Sequence, residues 1–316
     1  MKKNSVLIFG VSIFLVACAS TQPRTSTSKA TAGKKLLAAK LDVHLMTLQT
    51  PEIFGLSGLD LDSASRFWAV AERDRVLLAF KVQEGHAQLT EHKLSLIGVP
   101  EGADTESLGW IDSTHFVLGT ERHEANRKTD DILLFEVSGD IAKLEEKIDL
   151  PYALFNMTAN DNQGIEGLCA TESYVLAGVE NGTSDTTSKR FAPLALYDLK
   201  HKSWRTARLM LSTEQGMLSS LACRKNETNG HLEVLAIERY YSISRLLHFE
   251  VALDEDARSI IPETLVDLAS LSDGDVPNWE GVMWHPAGGV VLLSDNQTSV
   301  VSGPVQVMWI KKLETN

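Results

Sequence analysis

Five times along the chain a short phrase returns: Ser57-Gly58-Leu59, Glu106-Ser107-Leu108, Glu166-Gly167-Leu168, Ser219-Ser220-Leu221 and Glu280-Gly281-Val282. Behind each copy an apolar run stops at an acid, in Ala71-Glu72-Arg73, Thr120-Glu121-Arg122, Val179-Glu180-Asn181, Ile237-Glu238-Arg239 and Ser294-Asp295-Asn296. The two landmarks stand 15, 15, 14, 19 and 15 residues apart, and successive copies 49, 60, 53 and 61 apart. Self-similarity at such a period, in segments of strand character, marks a radial array such as a β-propeller. Each repeat of such an array is a small sheet that buries its faces only against its neighbours.

Each repeat parses into four short strands. The first gives Ser57 to Leu61, Phe67 to Ala71, Val76 to Val82 and Gln88 to Ile97. The second to fourth follow the same plan, the fourth ending in Thr264 to Ala269. The last repeat supplies three strands, and Leu41 to Leu48, ahead of the first repeat, is the natural fourth. Such closure removes an exposed sheet edge. The expectation is an all-β propeller of five four-stranded blades, with six the alternative if 252–278 hold a degenerate blade. Positions two and four after the first landmark are apolar or small in every repeat, as in Leu59 and Leu61, Leu108 and Trp110, and Val282 and Trp284. That is the period-2 pattern of a packed strand.

The N-terminus lies outside this pattern. Lys2 and Lys3 precede an apolar stretch from Val6 to Ala17, too short to span a membrane as a mature helix, which reads as a secretory signal. Its end, Leu15-Val16-Ala17-Cys18, resembles the lipobox of bacterial lipoproteins. The resemblance implies cleavage before Cys18, lipidation of Cys18 and, with no Asp following, delivery to the outer membrane facing the periplasm. The Ser-, Thr- and Lys-rich stretch after it reads as a flexible tether reaching roughly 20–25 Å. The domain plan is thus a signal peptide at 1–17, lipidated Cys18 and tether at 18–35, and the propeller at 36–316.

The chain carries 30 Lys and Arg against 42 Asp and Glu. This balance argues against a nucleic-acid partner and favours cationic ligands. Cys169 and Cys223 sit on the first strands of neighbouring repeats, three and four residues past the landmark. Their side chains then point to opposite faces of their sheets. Facing blades bring such positions together, but the reading favours two buried thiols packing as small hydrophobes.

The first and second strands of a blade run antiparallel, so both landmarks lie at one end of the propeller near its axis. Glu106, Glu166 and Glu280 form a partial ring there, and Glu72, Glu121, Glu180, Glu238 and Asp295 a complete one. Acids converging in this number repel unless cations or bases offset them. Carboxylate oxygens suit a hard cation, Ca²⁺ first. The candidate metal ligands are Glu106, Glu166, Glu180, Glu238, Glu280 and Asp295. A purely structural acid should recur in every blade. The partial ring is interrupted by Ser57 and Ser219, which singles out Glu166 and Glu280 as candidate catalytic carboxyls. Arg73, Arg122 and Arg239 each follow an acid of the complete ring. With Lys189 and Arg190 on the long loop from Asn181 to Pro193, they are the candidate contacts for an anionic ligand.

The segments Asn162-Gln163-Gly164-Ile165-Glu166-Gly167-Leu168, Asn278-Trp279-Glu280-Gly281-Val282 and Leu292-Leu293-Ser294-Asp295-Asn296 resemble the phytase-like family of esterase-like β-propellers. The resemblance runs from about Phe54 towards the C-terminus. It implies an acidic, Ca²⁺-binding face and hydrolysis of small-molecule phosphate or other esters. Ser57 and Ser219, where that pattern expects Glu, depart from it, and no His-rich phosphatase signature is present. The alternative is a non-catalytic propeller binding a glycan, peptide or partner protein at the cell envelope. Gly55-Leu56-Ser57-Gly58 does not complete a nucleophile elbow, because residue 59 is Leu. Asp273-Gly274-Asp275 lacks the rest of a calcium loop, and His123 reads as a surface residue.

Overall fold

Strand alternation and the punctuating turns produce an almost purely extended chain. The computed structural model describes residues 41–50, 53–158, 163–180, 190–254, 259–272, 274–295 and 304–312. Cys18, Lys189 and Asp273, and with them the signal and tether expectations, lie outside these residues. The fold is all-β and β-propeller-like. Its strands run in chain order as β1 (Val43–Leu48), β2 (Leu56–Leu61), β3 (Phe67–Ala71), β4 (Val76–Gln83), β5 (His86–Ile97), β6 (Ala103–Trp110), β7 (His115–Arg122), β8 (Thr129–Ser138), β9 (Ile141–Pro151), β10 (Ile165–Ala170) and β11 (Tyr174–Val179). They continue as β12 (Phe191–Asp198), β13 (Ser203–Met210), β14 (Met217–Lys225), β15 (Leu232–Tyr240), β16 (Ile243–Val251), β17 (Ser259–Ile260), β18 (Glu263–Asp267), β19 (Asn278–Trp284), β20 (Val290–Asp295) and β21 (Val305–Ile310).

Antiparallel pairing groups them into four-stranded units, β2 to β5 as unit 1, β6 to β9 as unit 2 and β10 to β13 as unit 3. Unit 4 is β14, β15, β16 and β18, and unit 5 is β19, β20, β21 and β1. The N-terminal strand does complete the last unit: β1 pairs antiparallel with β21, from Val43 opposite Ile310 to Leu48 opposite Val305. Two features were not expected. A parallel pairing of Ser95, Leu96 and Ile97 with Ile141, Ala142 and Lys143 joins the outer edges of units 1 and 2. The short β17 adds to the edge of unit 3, beside Arg208 and Leu209 of β13. Residues 252–278 therefore supply β17 and the outer strand of unit 4 rather than a sheet of their own among the described residues.

Five apolar cores lie between consecutive units. One joins units 1 and 2 around Trp68, Trp110, Phe116 and Phe135. The others join units 2 and 3, 3 and 4, and 4 and 5 around Trp279. The fifth joins unit 5 back to unit 1, with Met46, Leu48 and Trp309 against Phe67 and Phe80. Each fully buried large side chain contributes about 1.5–3 kcal/mol, so the cores are where the fold's stability is concentrated.

Cys169 and Cys223 are joined by a disulfide with 5.6 Å between their Cα atoms, which corrects the expectation of free thiols. The parity argument was right about faces. Leu221 and Cys223 of unit 4 look back at unit 3, and Cys169 looks forward at unit 4 within the same core. Opposite faces of consecutive sheets are facing surfaces.

Candidate active site at the axial mouth

A β-bulge opens the innermost strand of every unit. Pairing with the second strand slips between Ser57 and Asp60, Thr105 and Ser107, Ile165 and Gly167, Leu218 and Ser220, and Trp279 and Gly281. The residue left out of the ladder in units 2 to 5 is Glu106, Glu166, Ser219 or Glu280, which is the first landmark of the repeat. A bulge re-aims a side chain that strict alternation would send into the core. In unit 1 the bulge is shaped by Gly58, at φ 56°, where a Cβ would stand 2.7 Å from the Leu108 backbone nitrogen.

The two serines at this position have a different task. Ser57 Oγ donates to the Glu106 carbonyl at 2.5 Å, and Ser219 Oγ to the Trp279 carbonyl at 2.8 Å. Each stitches its unit to the next. Ser107 does the same for units 2 and 3, donating to the Ile165 carbonyl at 3.1 Å. The interruption of the glutamate ring thus marks inter-unit hydrogen bonds.

Register also corrects the second ring. The residue paired with the position just before each first landmark is Ala71, Thr120, Val179, Glu238 or Ser294. The next position out is Glu72, Glu121, Glu180, Arg239 or Asp295. Unit 4 therefore presents Arg239 where the spacing argument put Glu238. Glu238 is fully buried. Its oxygens accept from Ser212 N at 3.0 Å, Ser212 Oγ at 2.5 Å and Thr213 N at 3.2 Å. Gly216 packs so closely on this carboxylate that a Cβ there would collide with it. Glu238 is committed to holding the 212–216 loop and is withdrawn from the metal-ligand set.

The remaining acids share one electrostatic neighbourhood. Burial pushes the Glu106 and Glu166 carboxyls well above the ordinary range. Glu72, Glu121 and Glu280 add to the repulsion on Glu106, and Glu106, Glu121, Glu180 and Glu280 to that on Glu166. Burial, then Asp295 and Glu280, push Glu72 up to about 8. Burial and Glu180 push Glu121 up to about 8. Glu280 is pushed up to about 7 by burial, with Arg239 opposing. Glu180 is raised by burial against the pull of Arg239 and Arg190. Burial pulls the Arg239 guanidinium down, but Glu280, Glu166, Glu180 and Asp295 more than compensate and hold it above its usual range.

Arg239 is the base of the mouth. Its Nη2 donates to Glu280 Oε1 at 2.6 Å. Asn278 Nδ2 donates to the same oxygen at 2.8 Å and lies 3.3 Å from Asp295 Oδ2. The second Glu280 oxygen, Oε2, and Glu121 Oε1 are buried without a hydrogen-bond partner among the described residues. The other candidate bases have partners of their own. Arg122 Nη2 is bound to Asp131 at 2.5 Å, and Arg190 Nη1 donates to the Gln215 carbonyl at 3.3 Å. Arg73 lies 3.5 Å from Asp104 at the exposed rim, and His123 3.3 Å from the same carboxylate.

Asp104 and Asn278 are the residues the repeat reading missed. Both sit two positions ahead of a bulge glutamate, opposite Glu121 and Asp295 respectively. Their polarity at a strand start, where units 1, 3 and 4 have Gly55, Gly164 and Met217, was the available signal. Among the described residues no three His, Cys, Asp or Glu side chains stand close enough to hold one metal ion. The hard oxygen donors of the mouth are of the kind Ca²⁺ takes.

Among solved structures, the chain resembles a protein of unknown function from Dyadobacter fermentans DSM 18053, with 11% identity, TM-score 0.49 and coverage of 86% of this chain and 84% of that one. It also resembles the Penicillium chrysogenum α-L-arabinanase complexed with arabinobiose, with 10% identity, TM-score 0.44 and coverage of 80% and 84%. The PQQ-bound aldose sugar dehydrogenase of Streptomyces coelicolor shows 9% identity, TM-score 0.41 and coverage of 85% and 98%. Likenesses this distant carry no inference about activity. No curated protein sequence matches the chain. The family described as "Phytase-like: Esterase-like activity of phytase" matches residues 51–298, a stretch that takes in all five bulges and the whole mouth. The chain belongs to this phytase-like family.

Proposed function

We propose that the protein is a hydrolase of esters, phosphate esters included, acting at the axial mouth of a closed five-bladed propeller. The five four-stranded units and the five cores, the last joining unit 5 to unit 1, support the blade count and the closure. The observation that carries the catalytic reading is the unlike pair Glu166 and Glu280. Glu280 has its Oε1 held by Arg239 and Asn278, which favours the ionised form, and leaves Oε2 without a partner. Burial, and the ring of other acids around it, raise the Glu166 carboxyl well above the ordinary range, which favours its protonated form. Two carboxyls whose surroundings differ in this way suit general base and general acid.

In the proposed reaction Glu280 takes a proton from water as its oxygen attacks the ester carbon or phosphorus. Glu166 gives its proton to the departing oxygen. The products are an acid and an alcohol, and proton exchange through the ring restores the pair. Arg239, beside Glu280, is placed to stabilise negative charge developing on the ester oxygen. A bound Ca²⁺ would add electrophilic assistance; no step above depends on it.

A panel of p-nitrophenyl esters and phosphomonoesters, with and without Ca²⁺, tests the reading. Glu166→Gln and Glu280→Gln should each lower kcat by about 10²–10⁴-fold at unchanged melting behaviour. No turnover by wild type on any substrate leaves a ligand-binding propeller as the function. For location we propose a lipid anchor at Cys18, with the domain in the periplasm at the outer membrane. Cys18→Ser should move the protein from the membrane to the soluble fraction, and unchanged fractionation would refute the anchor.

A further inference from the structure

The mouth is charged unevenly. Towards units 3 to 5, Arg239 stands among Glu166, Glu180, Glu280 and Asp295. Towards units 1 and 2 the bases are Arg73, at the exposed rim beside Asp104, and Arg127. The strongest electrostatic neighbours of Glu106 are the carboxyl groups of Glu72, Glu121, Glu280 and Asp104. Arg127, whose charge opposes the rise of the Glu121 carboxyl, is bound to Asp130 through Nε and Nη2, at 2.9 and 2.8 Å. It also donates to the Arg122 and Gln163 carbonyls. Glu121 is only 5% exposed, yet its Oε1 has no hydrogen-bond partner among the described residues. A buried carboxylate oxygen left unsatisfied is costly, and a ligand that donates to it regains that cost.

A single metal ion does not match this side of the mouth, because no three ligating side chains converge among the described residues. An ammonium group does. It carries three N–H donors on one nitrogen and binds carboxylates through charge-assisted hydrogen bonds without a fixed coordination shell. Glu280 links the two sides electrostatically, acting on both Glu106 and Arg239. We propose that the mouth binds an organic ammonium group between Glu106 and Glu121 and, resting on the ester-hydrolase reading, that the esters it cleaves carry such a group.

Putrescine is the first probe, with the full chain in EDTA so that no divalent ion contributes. It should raise the melting temperature saturably, beyond the effect of NaCl at matched ionic strength. Glu121→Gln and Glu106→Gln should each raise the half-saturating concentration about tenfold or more, since each replaces a carboxyl that ionises against the bound ammonium with a neutral amide. Glu145→Gln, at an exposed position away from the mouth, should not. If one mouth variant fails to fold, the other decides by calorimetric titration. A putrescine shift equal to that of NaCl, a shift seen only with CaCl₂, or one unchanged in the folded mouth variants overturns the inference. An aminoalkyl ester and its uncharged isostere separate this inference from the reading it rests on. Hydrolysis of both at equal kcat/KM refutes the ammonium site and leaves the hydrolase. Putrescine binding without hydrolysis of either refutes the hydrolase and leaves the site.

Discussion

Glu238 and Arg239 are adjacent in sequence and opposite in role. Glu238→Gln should destabilise the protein by about 1–3 kcal/mol in urea unfolding, because the 212–213 loop donors lose a charged acceptor. It should leave ester turnover unchanged. Arg239→Gln should also cost roughly 1–2 kcal/mol, for a side chain still 30% exposed, but unlike Glu238→Gln it should suppress turnover. Equal effects on turnover would return Glu238 to the mouth. Asp60 is a second single-residue case. It lies between units 1 and 2, accepting from the Trp110 N–H at 2.6 Å and the Leu61 N–H at 2.7 Å. Burial nonetheless raises its carboxyl from 3.8 to about 7. A raised folded pKa means that the folded state holds the proton more tightly. The stability Asp60 contributes is therefore complete below about pH 4 and is lost as pH rises towards 7. Asp60→Asn should remove that part of the pH dependence, measured as urea stability at about pH 5 against about pH 8. An unaltered slope would assign the dependence to other acids.

At the scale of elements, the repeated phrases made the strands legible because period-2 burial and turn residues act locally. The fourth strand of the last unit was also readable, since an unfilled edge at one end of the chain met an unused strand at the other. The bulges were not, because a one-residue slip leaves no mark in an apolar pattern. That single slip separates Glu238 from Arg239. Nor could the serines at 57 and 219 be recognised as stitches, since their acceptors belong to the next unit, 49 and 60 residues away. The Cys169–Cys223 bridge ties β10 to β14 across the core between units 3 and 4, closing a loop of 54 residues. Reduction, or Cys169→Ser with Cys223→Ser, should lower stability by about 2–4 kcal/mol. The expected readout is a lower melting temperature under dithiothreitol with the same cooperativity. No change would mean that packing around the sulfurs, rather than the cross-link, holds that interface.

At the scale of the molecule, the acidic mouth couples all five units, so a cation bound there should act on global stability. If the carboxylates draw together around Ca²⁺, the melting temperature of the full chain should rise with Ca²⁺ and fall back on chelation. A hundredfold excess over the dissociation constant corresponds to about 2.7 kcal/mol. Glu166→Gln with Glu280→Gln should abolish the response, and a flat Ca²⁺ profile would remove the metal from the proposal. The parallel ladder from Ser95–Ile97 to Ile141–Lys143 has a different reach. It makes units 1 and 2 a continuous eight-stranded sheet, whereas the other units meet their neighbours chiefly through side chains. Local opening should respect that division. Amide hydrogens of β4, β5, β8 and β9 should exchange with solvent as one cooperative block, with a common opening free energy, while the outer strands of the remaining units open individually. On that count the five four-stranded units come apart as four pieces, the largest being the pair of units 1 and 2.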